Sequence, residues 1–199
     1  QLIRNHAEAV VAKKEVADLK NMLGFNMRMT EIEAAIARQQ LKKLPGLIRK
    51  RARNVACLAK RLSSVPCIRW AKARPQATHA YYVHPFLFDA KRAGVSRDRF
   101  LEAVKAELAV TKRREGEGVK INAGYARPLY LLPLFQGRAP VMGHALTRAY
   151  PKGLCPVVEK LHEETLGFHE LMHPNMAPKD LGDVVRAFQK VAAHTDELA

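Results

Sequence analysis

The sequence predicts an α+β fold: a helix pair followed by a small antiparallel sheet covered by helices. Three observations carry this expectation. A helix-start signal with helical apolar spacing occupies residues 30–62, a run rich in tyrosine, valine and phenylalanine occupies residues 79–89, and a strongly periodic apolar segment occupies residues 181–191.

Thr30 followed by Glu33 has the spacing of a capping box, in which hydroxyl and carboxylate each satisfy a free amide of the first turn. Apolar Ile32, Ala35 and Ile36 follow, so a helix starts there. Pro45 lacks an amide hydrogen and Gly46 is a poor helix former, yet the apolar spacing resumes at Leu47, Ile48, Val55, Leu58 and Leu62. The expectation is two consecutive helices or one kinked helix. Residues 79–89 predict a strand, and Pro85 within it implies an edge position or a bulge. Ser96 can cap a helix whose apolar positions are Phe100, Leu101, Val104 and Leu108.

Residues 109–120, polar and glycine-bearing, predict an exposed loop with solvated charges. Residues 121–135 carry Tyr125, Pro128, Tyr130 and Pro133 and predict a short extended path, followed by a loop through Gly143. A helix is expected from Pro156, proline standing at its favoured first position, to about Leu166. The last helix has the clearest pattern: Leu181, Val184, Val185, Phe188 and Val191 share one face.

At 199 residues and 48% hydrophobic content, the chain can bury a real core, which argues against disorder. It has no apolar run long enough to span a bilayer and no signal-peptide layout, so no membrane partner is expected. Cys57, Cys67 and Cys155 lack the close spacing of a zinc or redox motif and suggest a reducing cytoplasm. Lysine and arginine outnumber acids by 34 to 19, for a net charge of +15, which suits a polyanionic neighbour. The basic clusters lack the interleaved aromatics that stack bases, so they read as solvated faces and nucleic acid is not the expected partner.

His169-Glu170-Leu171-Met172-His173 matches HExxH, in which two histidines one helical turn apart bind zinc and the glutamate activates a bound water. Its setting argues against that chemistry. Gly167 precedes it, Pro174 follows the second histidine directly, and the tail offers Asp180, Asp183, His194, Asp196 and Glu197 at no recognisable ligand spacing. An ordinary extended segment leading to the last helix is the simpler expectation, with no metal ligands assigned.

The stretch Leu23-Gly24-Phe25-Asn26-Met27-Arg28-Met29-Thr30-Glu31-Ile32-Glu33-Ala34-Ala35-Ile36, then Gln40-Leu41, resembles the GxNxRMxExxAAI…QL segment of the DegT/StrS-type sugar aminotransferases. Further similarities run in that family's order: Arg4-Asn5-His6, His79-Ala80-Tyr81-Tyr82, Tyr125 through Pro128-Leu129-Tyr130, and Cys155-Pro156-Val157-Val158-Glu159. The resemblance implies the C-terminal part of a fold-type I transferase dependent on pyridoxal phosphate. Residues 1–64 would end the large domain and supply the dimer-interface loop and connecting helices, and residues 65–199 would form the small C-terminal domain.

It also implies that the cofactor's anchoring lysine lies before Gln1, so the chain alone carries no catalytic residue and is expected to be inactive. The intact protein would be a homodimer with composite active sites, moving an amino group from glutamate or glutamine to a nucleotide-linked keto sugar or a keto cyclitol. By resemblance, Asn26 hydrogen-bonds the cofactor phosphate of the partner subunit, while Arg28, Tyr125 and Tyr130 contact substrate. Ala7 stands where the family usually has glycine, Tyr130 where many members have histidine, and the loop at residues 112–118 is longer than usual. Two other readings stay open at this point: a non-enzymatic basic binding module, and a zinc hydrolase using His169, Glu170 and His173.

Overall fold

The computed structural model describes residue 25 and residues 27–109, 118–125, 127–136 and 149–198. The chain divides into two compact units, Gln1–Gly46 and Leu47–Ala199. Helix α1 spans Glu31–Arg61. Its start is the expected capping box: the Thr30 amide donates to Glu33 Oε2 at 2.8 Å and the Glu33 amide donates to Thr30 Oγ1 at 3.2 Å. That carboxylate is held below its usual pKa, first by the Thr30 amide and then by the Thr30 hydroxyl.

Of the two expected arrangements, residues 31–61 form one helix rather than two consecutive ones, with Pro45 inside it. Proline forfeits its amide bond to the carbonyl one turn back and crowds that carbonyl, but flanking Leu41, Lys42, Lys43, Leu44 and Leu47 are strong helix formers. Within the first unit, Phe25, Met27, Met29, Ile32, Ile36, Leu41 and Leu44 are all exposed.

The second unit is built on a four-stranded sheet of order β1-β2-β4-β3, with every pairing antiparallel. The strands are β1 (Ile68–Trp70), β2 (His84–Phe88), β3 (Ile121–Ala123) and β4 (Leu166–His169). The strand expected at residues 79–89 shortens to β2, and it lies inside the sheet, with no free edge. Pro85 is tolerated because its carbonyl, and therefore its missing donor, faces β1 just where β1 ends; the Ala71 amide reaches that carbonyl at 3.1 Å.

Alternation along β2 buries His84, Phe86 and Phe88 on one face. After β2 come α2 (Ala90–Ala93) and α3 (Arg97–Ala106), the latter capped by Ser96, whose hydroxyl accepts from the Arg99 amide at 3.3 Å. Helix α6 (Pro178–Ala193) buries Leu181, Val184, Val185, Phe188 and Val191, the stripe read from its sequence. These side chains form a single core with Leu58, Leu62, Phe86, Phe88, Phe100, Leu101, Val104 and Ile121. Burial of this many large apolar groups stabilises the unit at about 1.5–3 kcal/mol for each.

Between β3 and β4 the chain forms a 3-10 turn (Leu129–Leu131), α4 (Pro133–Gln136), α5 (Pro156–Lys160) and one π-helical turn (Leu161–Thr165). Residues 129–136 are therefore turned where an extended path was expected. Gln136 Nε2 holds the turn, donating to the carbonyls of Tyr130 at 2.7 Å and Tyr150 at 2.8 Å. The loop expected at residues 109–120 and the one leading to Gly143 fall largely outside the described residues, as does the Arg4-Asn5-His6 segment. All three cysteines are free.

Candidate functional site

Tyr125 leaves the end of β3 through Gly124, whose φ of 72° lies in the region that favours glycine. A side chain at position 124 would meet the backbone and ring of His162 at 2.9 Å, so the π-helical turn can approach this closely only because glycine is there. The Gly124 amide donates to the Leu166 carbonyl at 2.7 Å and fixes the departure. Tyr125 then lays its ring against Phe168, with centroids 5.2 Å apart, and stays half exposed. Its hydroxyl pKa is raised, first by the neighbouring Tyr82 hydroxyl, then by burial, with smaller contributions from the Tyr82 and Glu170 charges.

Tyr82 is well exposed at the end of a tight turn. Tyr81 has φ of 51°, and its amide donates to His79 Nδ1 at 2.8 Å, while the two rings stack at 4.3 Å. Arg51 Nη1 ties the turn to α1 by donating to the Tyr81 carbonyl at 3.1 Å.

Tyr130 sits on the 3-10 turn, half-buried, with its hydroxyl donating to Glu159 Oε1. Glu159 lies on α5 and is 8% exposed. The same oxygen accepts from the Gly153 amide at 2.7 Å and the Cys155 amide at 3.4 Å. The Tyr130 proton, foremost, and those two amides hold the Glu159 carboxyl below its usual pKa against the opposing cost of burial. Burial, then the Glu159 hydrogen bond and charge, push the Tyr130 phenol up to about 12.

The HExxH segment is not a helix. His169 closes β4, fully buried, and its register partner is His84. His84 Nδ1 and His169 Nε2 are 3.1 Å apart, and His169 Nδ1 accepts from the Leu171 amide at 3.1 Å. Since Nδ1 is an acceptor, His169 carries its proton on Nε2 and donates to His84, whose own proton serves the Ala71 backbone. Both His169 nitrogens are thus committed inside the core. His173 Nδ1 accepts from the Asn175 amide at 3.3 Å. Among the described residues, no group of three potential metal ligands comes together, and the zinc-hydrolase reading has no geometric support.

Of the residues singled out from sequence, Tyr125 and Tyr130 lie in the second unit, Tyr125 at the end of β3 and Tyr130 on the following 3-10 turn. Arg28 is exposed in the first unit, in the stretch before α1. Asn26 lies outside the described residues. Sequence reasoning missed Glu159, Tyr82 and the His84–His169 pair as interacting groups. Glu159 and Tyr82 fall in segments already matched to the family, which was the available signal. Pyridoxal phosphate needs donors or cations for its phosphate, and of the residues marked by resemblance Asn26 is the one assigned to it. With Asn26 not described, the described residues alone do not build a cofactor site.

Among the described residues, no helix is long and apolar enough to cross a membrane. The sequence matches the DegT/DnrJ/EryC1/StrS aminotransferase family over residues 1–189. It is 30% identical over 193 residues to the L-glutamine:scyllo-inosose aminotransferase of Streptomyces griseus, covering 95% of this chain and 43% of that protein. The spore coat polysaccharide biosynthesis protein SpsC of Bacillus subtilis is 22% identical, covering 87% and 39%. The chain spans about two fifths of the curated relatives it matches. In fold it resembles an aminotransferase from Psychrobacter cryohalolentis, with a TM-score of 0.70, 24% identity, and coverage of 98% of this chain and 48% of that one. The α+β architecture is therefore that of part of a fold-type I aminotransferase, and the chain belongs to the DegT/DnrJ/EryC1/StrS aminotransferase family.

Proposed function

We propose that the whole protein transfers an amino group from glutamate or glutamine to a keto sugar, nucleotide-linked, or to a keto cyclitol, with pyridoxal phosphate as cofactor. The observation that carries this reading is the family match over residues 1–189, together with the 30% identity over 193 residues to a glutamine-dependent cyclitol aminotransferase. The cofactor, when bound, supplies the electron sink that amino transfer requires.

In this reading the protein works as a cytoplasmic homodimer with composite active sites. Residues 1–64 complete the large domain and dimer surface, and residues 65–199 form the small domain. Asn26 donates its side-chain amide to the phosphate of the partner subunit's cofactor, as an uncharged donor can. Arg28, Tyr125 and Tyr130 bind the amino acceptor. The exposed ring of Tyr125, backed by Phe168, offers a flat apolar surface with one hydroxyl.

The test is amino transfer by the intact, cofactor-loaded protein. L-Glutamine or L-glutamate is supplied with a keto cyclitol in one arm and a nucleotide-linked keto sugar in the other, and the aminated product is detected by mass. Product in either arm supports the reading. Loaded protein that aminates neither overturns it. The 199-residue chain alone is expected to give no product.

A further inference from the structure

Glu159 is a carboxylate with less than a tenth of its surface exposed, yet Lys152 Nζ pairs with Glu163 at 2.6 Å and reaches Glu159 only as a minor influence of its charge. Its Oε1 instead collects three uncharged donors from two separate segments, the Tyr130 hydroxyl and the Gly153 and Cys155 amides. A buried charge is retained at a cost unless hydrogen bonds satisfy it, and here the donors include the side chain expected to face substrate. The Tyr130 backbone is fixed as well, its carbonyl accepting from Gln136 Nε2 at 2.7 Å.

A phenol has one proton and two lone pairs. With its proton held by Glu159, the Tyr130 hydroxyl has nothing left to donate and can only accept. We propose that Glu159 is a positioning residue: it accepts the hydrogen bond of the Tyr130 phenol, so that Tyr130 meets substrate as a hydrogen-bond acceptor. Its complement is a hydroxyl or ammonium donor, such as a ring hydroxyl of a polyhydroxylated acceptor or the amino group of the product. A phosphate or carbonyl oxygen, which needs a donor, is a poor complement. A phenol is un-ionised near neutrality, and burial and then the Glu159 bond raise the Tyr130 pKa further, so it does not serve as a base. The substrate half of this proposal rests on the reading of Tyr130 as an acceptor-site residue.

The test compares wild type, Glu159→Gln, Tyr130→Phe and the double variant in the intact protein. The first readout is phenolate absorbance against pH, with Tyr130→Phe identifying the Tyr130 step. The Tyr130 step near 12 should move toward the ordinary value of 10 in Glu159→Gln. An unmoved step overturns the hydrogen-bond assignment whatever the enzyme does.

The second readout is steady-state kinetics on the amino acceptor. Glu159→Gln should raise KM by about fivefold, because a neutral amide holds the phenol hydrogen less firmly than a carboxylate, with kcat little changed. In the Tyr130→Phe background it should raise KM no further, because Glu159 acts through Tyr130. Equal KM effects in both backgrounds mark a merely structural role and overturn the proposal. Loaded enzyme that transfers no amino group overturns the aminotransferase reading and with it the substrate half, while the titration still judges the Glu159–Tyr130 bond. Should Glu159→Gln fail to fold, Tyr130→Phe alone decides: an acceptor KM within twofold of wild type overturns the substrate half.

Discussion

Lowering the pH from 7 to 5 should strip the second unit of much of its stability, through two histidines. His84 and His169 lie 3.1 Å apart inside the core. Burial, with a smaller push from His79, lowers the His84 pKa to about 4; burial, with a smaller push from His84, lowers that of His169 to about 3. In the unfolded chain each imidazole protonates near 6.5. Between those limits the unfolded state binds protons that the folded state refuses, so stability is intact above about 6.5 and falls as the pH drops. At pH 5 each histidine is about 1.5 units below its unfolded value, costing about 2 kcal/mol at about 1.4 kcal/mol per unit. The pair then costs up to about 4 kcal/mol, against a typical total of about 5–15 kcal/mol.

The control is the double variant His84→Asn, His169→Gln, whose amides can hydrogen-bond but do not titrate. Urea denaturation at pH 7, 6 and 5 can be followed through Trp70, the chain's one tryptophan, which stacks on His84 with centroids 4.8 Å apart. Wild type should lose about 4 kcal/mol more than the variant between pH 7 and 5. Parallel losses in the two proteins would refute the reasoning. So would an NMR titration in which the His169 ring of the folded protein protonates near 6.5.

Arg97 is buried, and its guanidinium donates to the carbonyls of His162 at 2.9 Å, Glu163 at 2.9 Å and Leu166 at 3.1 Å, capping the π-helical turn. Arg97→Met leaves the His162 and Glu163 carbonyls without the guanidinium, while Leu166 keeps the Gly124 amide, and should destabilise by about 3 kcal/mol in a urea melt; a change below about 1 kcal/mol would show that water replaces it. A side chain at Gly167 would lie 2.3 Å from the buried Phe86 ring. Gly167→Ala should therefore cost about 3 kcal/mol or prevent folding, and adding Phe86→Leu should recover part of the loss by calorimetry. Purified protein should hold no stoichiometric zinc by elemental analysis, and a chelator should leave its melting temperature unchanged; a chelator-induced drop would revive the HExxH reading.

Where one element's own pattern decides its structure, the sequence was readable. The α6 stripe, the Ser96 cap and the Thr30–Glu33 box all appear as read, because each depends on residues three or four apart. The readings that failed depended on neighbours distant in sequence. Pro85 argues for an edge strand until it is known that β1 stops beside it, and the extended path at residues 129–136 turns because Gln136 ties Tyr130 to Tyr150. The site follows the same division. Tyr125 and Tyr130 could be marked by family resemblance, but the Tyr130–Glu159 bond joins residues 29 apart and the His84–His169 pair residues 85 apart.

The HExxH segment shows how a partner across the sheet decides what a motif can do. Zinc needs His169 and His173 on one face of a helix. Gly167 faces Phe86 in the β2–β4 register, and the absence of a side chain there lets the Phe86 ring lie over the strand. That contact favours β4 as a strand, since glycine in a helix would add no packing and would cost about 1 kcal/mol. Once β4 is a strand, its register sets His169 opposite His84, and the Leu171 amide takes the remaining imidazole nitrogen. His173 falls four residues past the strand, where its carbonyl accepts from Asn54 Nδ2 at 2.8 Å and anchors the segment to α1. The residues that spell a metal site in sequence thus serve to bind strand, core and helix together.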